Sequence, residues 1–314
     1  MTLPATGPLS FSAIQSEMGG QNPISLSEYY RGAYTSINNT GVPTSGNPIG
    51  LSTLRGTQHH HYHTVTSSTK EGNLRTIVLA SGWNGTSPIN FTINSSVYMW
   101  SDSTSTGGLT INGSLPGGVI LNNYGKIIGR GGDGSKTSGT GGAGGPGLVC
   151  SQTGGSVTIS NKAGAYIAGG GGGGGYSWWS DAYSSGEGYG GGGAGGGKSG
   201  SVLGGAIGAA GANGSQGNGG GAGGEGSSLG SNATGGGGGR ILPGVGGSGK
   251  SEGGDGGSGG SAGGARISHT SGVRGGGGGG WGANGGGGGA GGKAISGTGS
   301  RTLSNSGTIY GATS

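Results

Sequence analysis

Charge, sulfur and long apolar runs are all scarce in this sequence. Its 314 residues hold a single cysteine, Cys150, which rules out an internal disulfide framework. Hydrophobic residues make up only 28% of the chain and charged residues 8%, so a conventional core is possible only where aliphatics cluster, before about Ala168. No run of about 18 apolar residues occurs, and no membrane-spanning helix is expected. The N-terminus has neither a basic region nor an apolar stretch behind it, so no secretory leader is expected. The net charge of +5 comes from basic residues scattered singly among acids, which excludes a nucleic-acid face. A catalytic constellation is missing as well. His269 stands alone, Cys150 has no base placed beside it, and nothing selects a carboxylate pair from Asp102, Asp133, Asp181 and Glu187. No enzyme is expected.

Glycine is what the chain has instead: 96 residues, most of them between Gly129 and Gly299. Near-pure runs occupy Gly169 to Gly175, Gly190 to Gly193, Gly235 to Gly239, Gly275 to Gly280 and Gly285 to Gly289. A flexible linker is one reading of such composition. Two features oppose it: serine is not interleaved within the long runs, and aromatic residues crowd together straight after one of them. Polyproline-II geometry offers an ordered alternative, because its N–H and C=O groups point sideways and can bond to neighbouring helices. Only glycine lets such backbones approach closely. The sequence therefore predicts a bundle of polyglycine-II helices, a polyglycine sandwich, with the pure runs inside and segments such as Gly141 to Gly147 outside. Collagen is excluded by the 9 prolines and the lack of a sustained third-residue register.

The same composition generates false motifs. Gly244 to Ser251 and Gly192 to Ser199 match the phosphate-binding loop pattern, yet neither follows an apolar strand or opens a helix. Gly131-Gly132-Asp133-Gly134 and Gly253-Gly254-Asp255-Gly256 hint at calcium-binding repeats without the required period.

Before the glycine region the chain is more ordinary. Three short copies of a Pro-apolar-Ser pattern start at Gly7, Asn22 and Asn47, each reading as a serine-capped helix of one or two turns. They cannot make a core alone, so residues 1–58 read as a docking module that packs on another protein. His59-His60-His61-Tyr62-His63 contains two overlapping His-x-His pairs, and in an extended strand His59, His61 and His63 share one face. This is either a solvated polar loop or a metal-binding strand. Alternating segments follow, with candidate strands at Leu74 to Leu79, Ile89 to Ile93, Val97 to Trp100, Leu109 to Ile111, Val119 to Leu121, Lys126 to Ile128, Ser156 to Ser160 and Ala165 to Ile167. A motif recurs at Leu121-x-Asn123-x-Gly125-x-Ile127, at Ile159-x-Asn161 through Gly164 to Ile167, and at Leu303-x-Asn305-x-Gly307-x-Ile309. The third copy predicts that residues 300–314 return as a strand to the sheet of the first two. Residues 59–128 read as a β neck.

Binding chemistry concentrates in Tyr176, Trp178, Trp179, Asp181, Tyr183, Glu187 and Tyr189. Aromatics on a rigid scaffold supply contact area at low entropic cost. The other reading is that these rings cover the flank of the glycine bundle. Ser227 to Thr234, Arg240 to Val245, Arg266 to Arg274 and Trp281 to Asn284 are further loops that could reach a partner.

The lead Leu3-Pro4-Ala5-Thr6-Gly7-Pro8-Leu9-Ser10-Phe11-Ser12 and the later Leu-Ser copies resemble N-terminal segments of tailed-phage virion proteins. The glycine runs resemble the receptor-recognising adhesin at the tail-fibre tip of T-even-type phages. The resemblance implies a virion protein, made in the host cytoplasm and acting outside the cell. Residues 1–56 would mount it on other phage tail or fibre proteins. Loops between glycine-rich helices in 129–299 would bind a host outer-membrane protein or lipopolysaccharide through Tyr176, Trp178, Trp179, Asp181, Tyr183, Tyr189 and Trp281. If the assembly is a homotrimer, the resemblance to fibrous phage proteins also implies iron at His59, His61 and His63; otherwise no cofactor is expected. The rival reading is a structural virion protein without receptor contact. The expected fold class is mostly β and irregular, with a short helical N-terminal module, a small β region and the polyglycine-II bundle.

Overall fold

Ser10 sets the first element. Its Oγ accepts the Ala13 amide at 3.1 Å and starts α1 (Phe11–Met18), which Gly19 ends at φ 78°. The other two repeats give single 3-10 turns, Leu26–Tyr29 and Leu51–Leu54. Ser25 caps the second, but the third begins at Gly50 with no side-chain cap, so Ser52 lies inside the turn. Leu3, Ile14, Met18, Tyr29, Val42 and Leu54 are buried together. This corrects the expectation that the repeats cannot build a core. Each short turn brings at least one large side chain inward, and the Tyr29 hydroxyl donates to the Gly19 carbonyl at 2.8 Å, tying the second turn to α1. The computed structural model describes residues 3–19, 23–30, 42–43, 46–56, 59–135, 140–180, 185–189, 233–234, 262, 267–269, 272–274 and 276–314.

Period-two alternation builds the rest of the described chain. The first coil carries β1 (His61–Val65), β2 (Thr69–Lys70) and β3 (Gly72–Asn73). The second carries β4 (Ile89–Ile93), β5 (Tyr98–Trp100) and β6 (Leu109–Ser114), and the third β7 (Val119–Asn123), β8 (Lys126–Ile128) and β9 (Leu148–Thr153). In the fourth, β10 (Val157–Asn161) and β11 (Tyr166–Ala168) precede a long connection. That connection holds β12 (Ser177–Ser180), β13 (Ser185–Tyr189), β14 (Ala233–Thr234), β15 (Ile267–His269) and β16 (Gly272–Arg274) before β17 (Ile295–Ser296) closes the coil. The last coil has β18 (Arg301–Asn305) and β19 (Thr308–Tyr310).

Equivalent strands of successive coils pair in parallel. They form three sheets, ordered β1-β4-β7-β10-β18, β2-β5-β8-β11-β19 and β3-β6-β9-β17. The protein is a three-sided parallel β-solenoid. Its interior is filled by the inward member of each alternating pair, among them Ile93, Met99, Leu109, Leu121, Ile127, Leu148, Ile159 and Ile167. The predicted strand at Leu74 to Leu79 is instead α2 (Leu74–Ala80). Asn73 Oδ1 accepts the Thr76 amide at 3.1 Å as an N-cap, and Leu74 and Val78, one helical turn apart, enter the solenoid core.

The recurring Leu-x-Asn-x-Gly motif is a corner of the solenoid. Asn123, Asn161 and Asn305 occupy one register position in successive coils. Asn123 Nδ2 donates to Asn161 Oδ1 at 2.8 Å, and Asn161 Nδ2 donates to Asn305 Oδ1 at 2.8 Å. Asn123 Oδ1 also accepts the Gly125 amide at 3.1 Å, which turns the chain into β8. A Cβ at Gly125 would lie 2.5 Å from the Val97 carbonyl oxygen, so the corner admits no side chain.

The expected bundle of polyglycine-II helices is not the architecture of the chain; three parallel sheets of four or five strands are. The aliphatic alternation does not stop at Gly129. It resumes in β9, β10, β11 and again from Ile295, and parallel pairing buries it. The described glycine-rich segments are connections between the second and third sheets. Residues 129–147 join β8 to β9, and residues 169–294 join β11 to β17.

Candidate functional site

Both glycine-rich connections leave the solenoid at the same corner, one coil apart, and so lie side by side. Their backbones bond laterally. The amides of Gly129, Gly132 and Ser135 donate to the carbonyls of Ala168, Gly171 and Gly174 at 2.8 to 3.0 Å, with a step of three residues on both segments. The returning segment joins them: Gly279 donates to Gly172 at 2.8 Å and Gly292 to Gly170 at 2.7 Å. This pairing satisfies peptide groups that are buried between the segments. A Cβ on Gly170 would overlap the Arg130 carbonyl, and one on Gly172 would overlap that of Gly289. The side-chain-free sequence is thus what permits the approach, at an entropic cost of about 0.5–1 kcal/mol per glycine relative to alanine. Asp133, within the first connection, has its carboxylate against Arg130 at 2.5 Å.

Beyond Gly175 the chain regains side chains. Tyr176 is nearly buried, at 9% exposure. β12 then carries Trp178 and Trp179 and pairs antiparallel with β13, Trp178 opposite Glu187 and Trp179 opposite Gly186. Tyr189, at the end of β13, stands beside Thr234 of β14. β15 and β16 form a second hairpin, with His269 opposite Gly272 and Ile267 opposite Arg274. The second hairpin lies against the first. Trp178, Trp179, Glu187 and Tyr189 are therefore gathered in one small β cluster with Ile267–His269 and Gly272–Arg274. Asp181 and Tyr183 fall outside the described residues, as do the predicted loops at 240–245 and most of 227–234. The pairing of the two hairpins has no clear signal in the sequence, since Arg266 to Arg274 reads there only as a loop.

Trp281 has a different place. It is 1% exposed and packs on Ile128 and Ala168, with Tyr98, Trp100 and Tyr310 at the margin. Its ring fastens the returning glycine segment onto the second sheet and leaves no surface for a receptor.

The histidines lie where the N-terminal module meets the first coil. The His59 amide donates to Glu17 Oε1 of α1 at 3.3 Å. His61 is buried, with Nε2 2.9 Å from Ser81 Oγ, and His63 stacks on Phe91 with ring centroids 5.5 Å apart. Burial pushes the imidazoles of His59, His60, His61 and His63 below their usual value. Among the described residues, no three histidine, cysteine or acidic side chains converge as a metal-binding group. His61 and His63 lie on the inward side of β1, level with Ile89 and Phe91, so iron shared by three copies does not fit the strand as folded.

The family model for phage tail fibre adhesin Gp38 matches residues 60–230, more than half of the chain. Among solved structures, the chain is similar to the crystal structure of the gp37-gp38 adhesin tip complex of the bacteriophage S16 long tail fiber. The identity is 22%, the match covers 98% of this chain and 99% of that one, and the TM-score is 0.49. A search of curated proteins gives no match. The chain belongs to the Gp38 family of phage tail fibre adhesins.

Proposed function

We propose that the adhesin binds its host receptor, an outer-membrane protein or lipopolysaccharide, through the β cluster formed by β12 to β16 and the residues flanking it. The observation that carries this is the gathering of two hairpins at the end of a backbone-bonded glycine platform, with Trp178, Trp179 and Tyr189 on one of them. Tyr176, Asp181 and Tyr183 belong to the same run of sequence and are included in the proposed surface. The platform holds its segments by lateral backbone hydrogen bonds, so the cluster is presented at little further entropic cost on binding.

The N-terminal module mounts the protein on other tail or fibre proteins. Its own core supports this reading, as does Phe11, which α1 leaves 41% exposed outside that core. The chain acts by binding; its one cysteine, Cys150, is fully buried with its thiol pushed up to about 11 by that burial, which removes it as a nucleophile.

Exchanging residues 176–189 for the equivalent stretch of a relative with another host tests the proposal. The expected outcome is a changed host range with an unchanged melting profile. Unchanged adsorption of the exchanged phage would remove this hairpin from the contact.

A further inference from the structure

The outer face of the second sheet carries side chains that neither the core nor the distal hairpins use. Met99, Ile127 and Ile167 point inward, so their neighbours in the same short strands point outward. Register then sets two rows across the sheet. The first is Tyr98, Lys126, Tyr166 and Thr308, and the second is Lys70, Trp100, Ile128, Ala168 and Tyr310. Trp281 covers Ile128 and Ala168, which leaves aromatic rings and lysines as the accessible chemistry. Tyr98, Trp100, Tyr166 and Tyr310 are each half-buried. The Tyr166 and Tyr310 rings are stacked, centroids 6.0 Å apart and 8° from parallel. Lys126 Nζ sits 5.4 Å from the Tyr98 ring centre and donates to the Ser95 carbonyl at 2.6 Å, which fixes its position. At the adjoining corner Lys162 lies 5.9 Å from the ring of Tyr124, which is 45% exposed.

Acidic residues are confined to one edge of this face. β8, β11 and β19 and the corners leading into them contain no aspartate or glutamate. At that edge Asp102 is paired with Lys70 at 3.1 Å, and Glu71 Oε1 accepts from the Ser101 and Thr106 hydroxyls at 3.1 and 2.9 Å. We infer that this face is a second binding site, separate from the distal hairpins, for a sugar chain that carries phosphate or carboxylate groups. Tyrosine and tryptophan faces stack on the C–H faces of pyranose rings while their polar tips hydrogen-bond the hydroxyls. Tyr98 and Tyr166 are two strands apart, about 9.5 Å, which is the span of two linked sugar rings. Lys126 lies between them, and it and Lys162 meet the anionic groups. Because Trp281 covers the aliphatic residues of the second row, the face offers separate rings and lysines rather than a continuous apolar patch.

The test uses the full-length protein and calorimetric titration with three probes. These are a phosphorylated lipopolysaccharide core oligosaccharide, the same oligosaccharide dephosphorylated, and an oligogalacturonate. Binding of either acidic probe is expected, weakened several-fold by dephosphorylation in the first case and by raised salt in both. Lys126→Ala and Tyr166→Ser should each weaken binding about tenfold, and Tyr166→Phe should restore most of it. Circular dichroism and melting verify that these surface variants fold. The protein with residues 176–189 exchanged should bind the acidic probe as the parent does, which separates this site from the proposed receptor contact. The inference is overturned by any of four results: no binding of either acidic probe, equal affinity for the dephosphorylated one, parental affinity in folded Lys126→Ala and Tyr166→Ser, or loss of binding on exchange of 176–189.

Discussion

Replacing Asn123, Asn161 and Asn305 by alanine, one at a time, should give three different losses of stability. Asn123 is fully buried and makes three side-chain hydrogen bonds, to Asn161 Oδ1 at 2.8 Å, the Tyr166 carbonyl at 3.2 Å and the Gly125 amide at 3.1 Å. At about 1 kcal/mol each, plus the cost of leaving the buried Gly125 amide unpaired, Asn123→Ala should lose about 4 kcal/mol. Asn161 donates to Asn305 Oδ1 at 2.8 Å and to the Thr308 carbonyl at 3.3 Å, and accepts from Asn123. Its removal orphans less, because Asn123 keeps the Tyr166 carbonyl and Asn305 Oδ1 is open to water, so the loss should be about 2.5 kcal/mol. Asn305 lies exposed on the last coil and accepts the Asn161 bond, and its removal should lose no more than about 1 kcal/mol. Urea denaturation followed by tryptophan emission gives the ranking. Hydrogen exchange should place the Asn161→Ala effect mainly on residues 301–310. Equal losses at the three positions, or a larger loss at Asn305 than at Asn123, would show that the ladder does not hold the coils together and that apolar packing alone does.

The glycine contacts predict a sharp positional dependence. Gly170→Ala forces the backbones at Arg130 and Gly170 apart and should make 129–147 and 169–175 protease-sensitive, whereas Gly142→Ala, whose nearest contact is 3.1 Å, should be milder. Trp281→Ala should lower stability by about 3–5 kcal/mol through the cavity it leaves. Trp178→Ala, by contrast, should leave the melting profile intact and reduce adsorption, and a phage whose adsorption ignores Trp178 would count against the distal surface. The four histidines at 59, 60, 61 and 63 predict acid sensitivity at the junction of module and solenoid. Burial depresses each folded pKa below the ordinary 6.5, with Glu17 opposing this at His59 and His60. The unfolded chain therefore takes up protons first. The stabilisation is complete above the unfolded value and is lost as pH falls through the folded ones. Melting curves between pH 7.5 and 5 should show this loss, and His61→Gln should shrink it.

Much of the solenoid is readable from alternation, and less of what surrounds it. Ile89 to Ile93 and Lys126 to Ile128 are strands with the predicted bounds; the first alternates without interruption, and in the second Ile127 faces the core while Ile128 lies under Trp281. The Leu-x-Asn-x-Gly corners are visible as a repeat, but their spacing is irregular. Connections of very different length separate Asn123, Asn161 and Asn305, so no fixed period announces a solenoid. Leu74 to Ala80 shows how a short apolar run misleads: Thr76, Ile77 and Val78 favour a strand, and the Asn73 cap with core contacts from Leu74 and Val78 decides for a helix. Leu148 to Thr153 is missed because glycine surrounds it. At the candidate site, the aromatic run is plain in the sequence, but the second hairpin's arrival beside it is a long-range pairing that local pattern does not encode. Trp281 reads as a loop residue and is buried, since only the fold brings the second sheet beneath it. The tyrosines and lysines of that sheet's outer face pass unnoticed for the same reason: Tyr98, Lys126 and Tyr166 are far apart in sequence and become neighbours only through stacking of coils.

Because 129–147 and 169–294 both start and finish between the same two sheets, their length never enters the pairing of the coils. A strand that follows such an insertion meets its partner in the same register however much chain has been added. The solenoid thus works like a socket of fixed pins into which interchangeable cartridges fit. Swapping the whole of 169–294 between related phages alters what is displayed and leaves the strand register of the mount as it was, provided that the exchanged piece keeps the glycines that bond to 129–147 and the ring of Trp281.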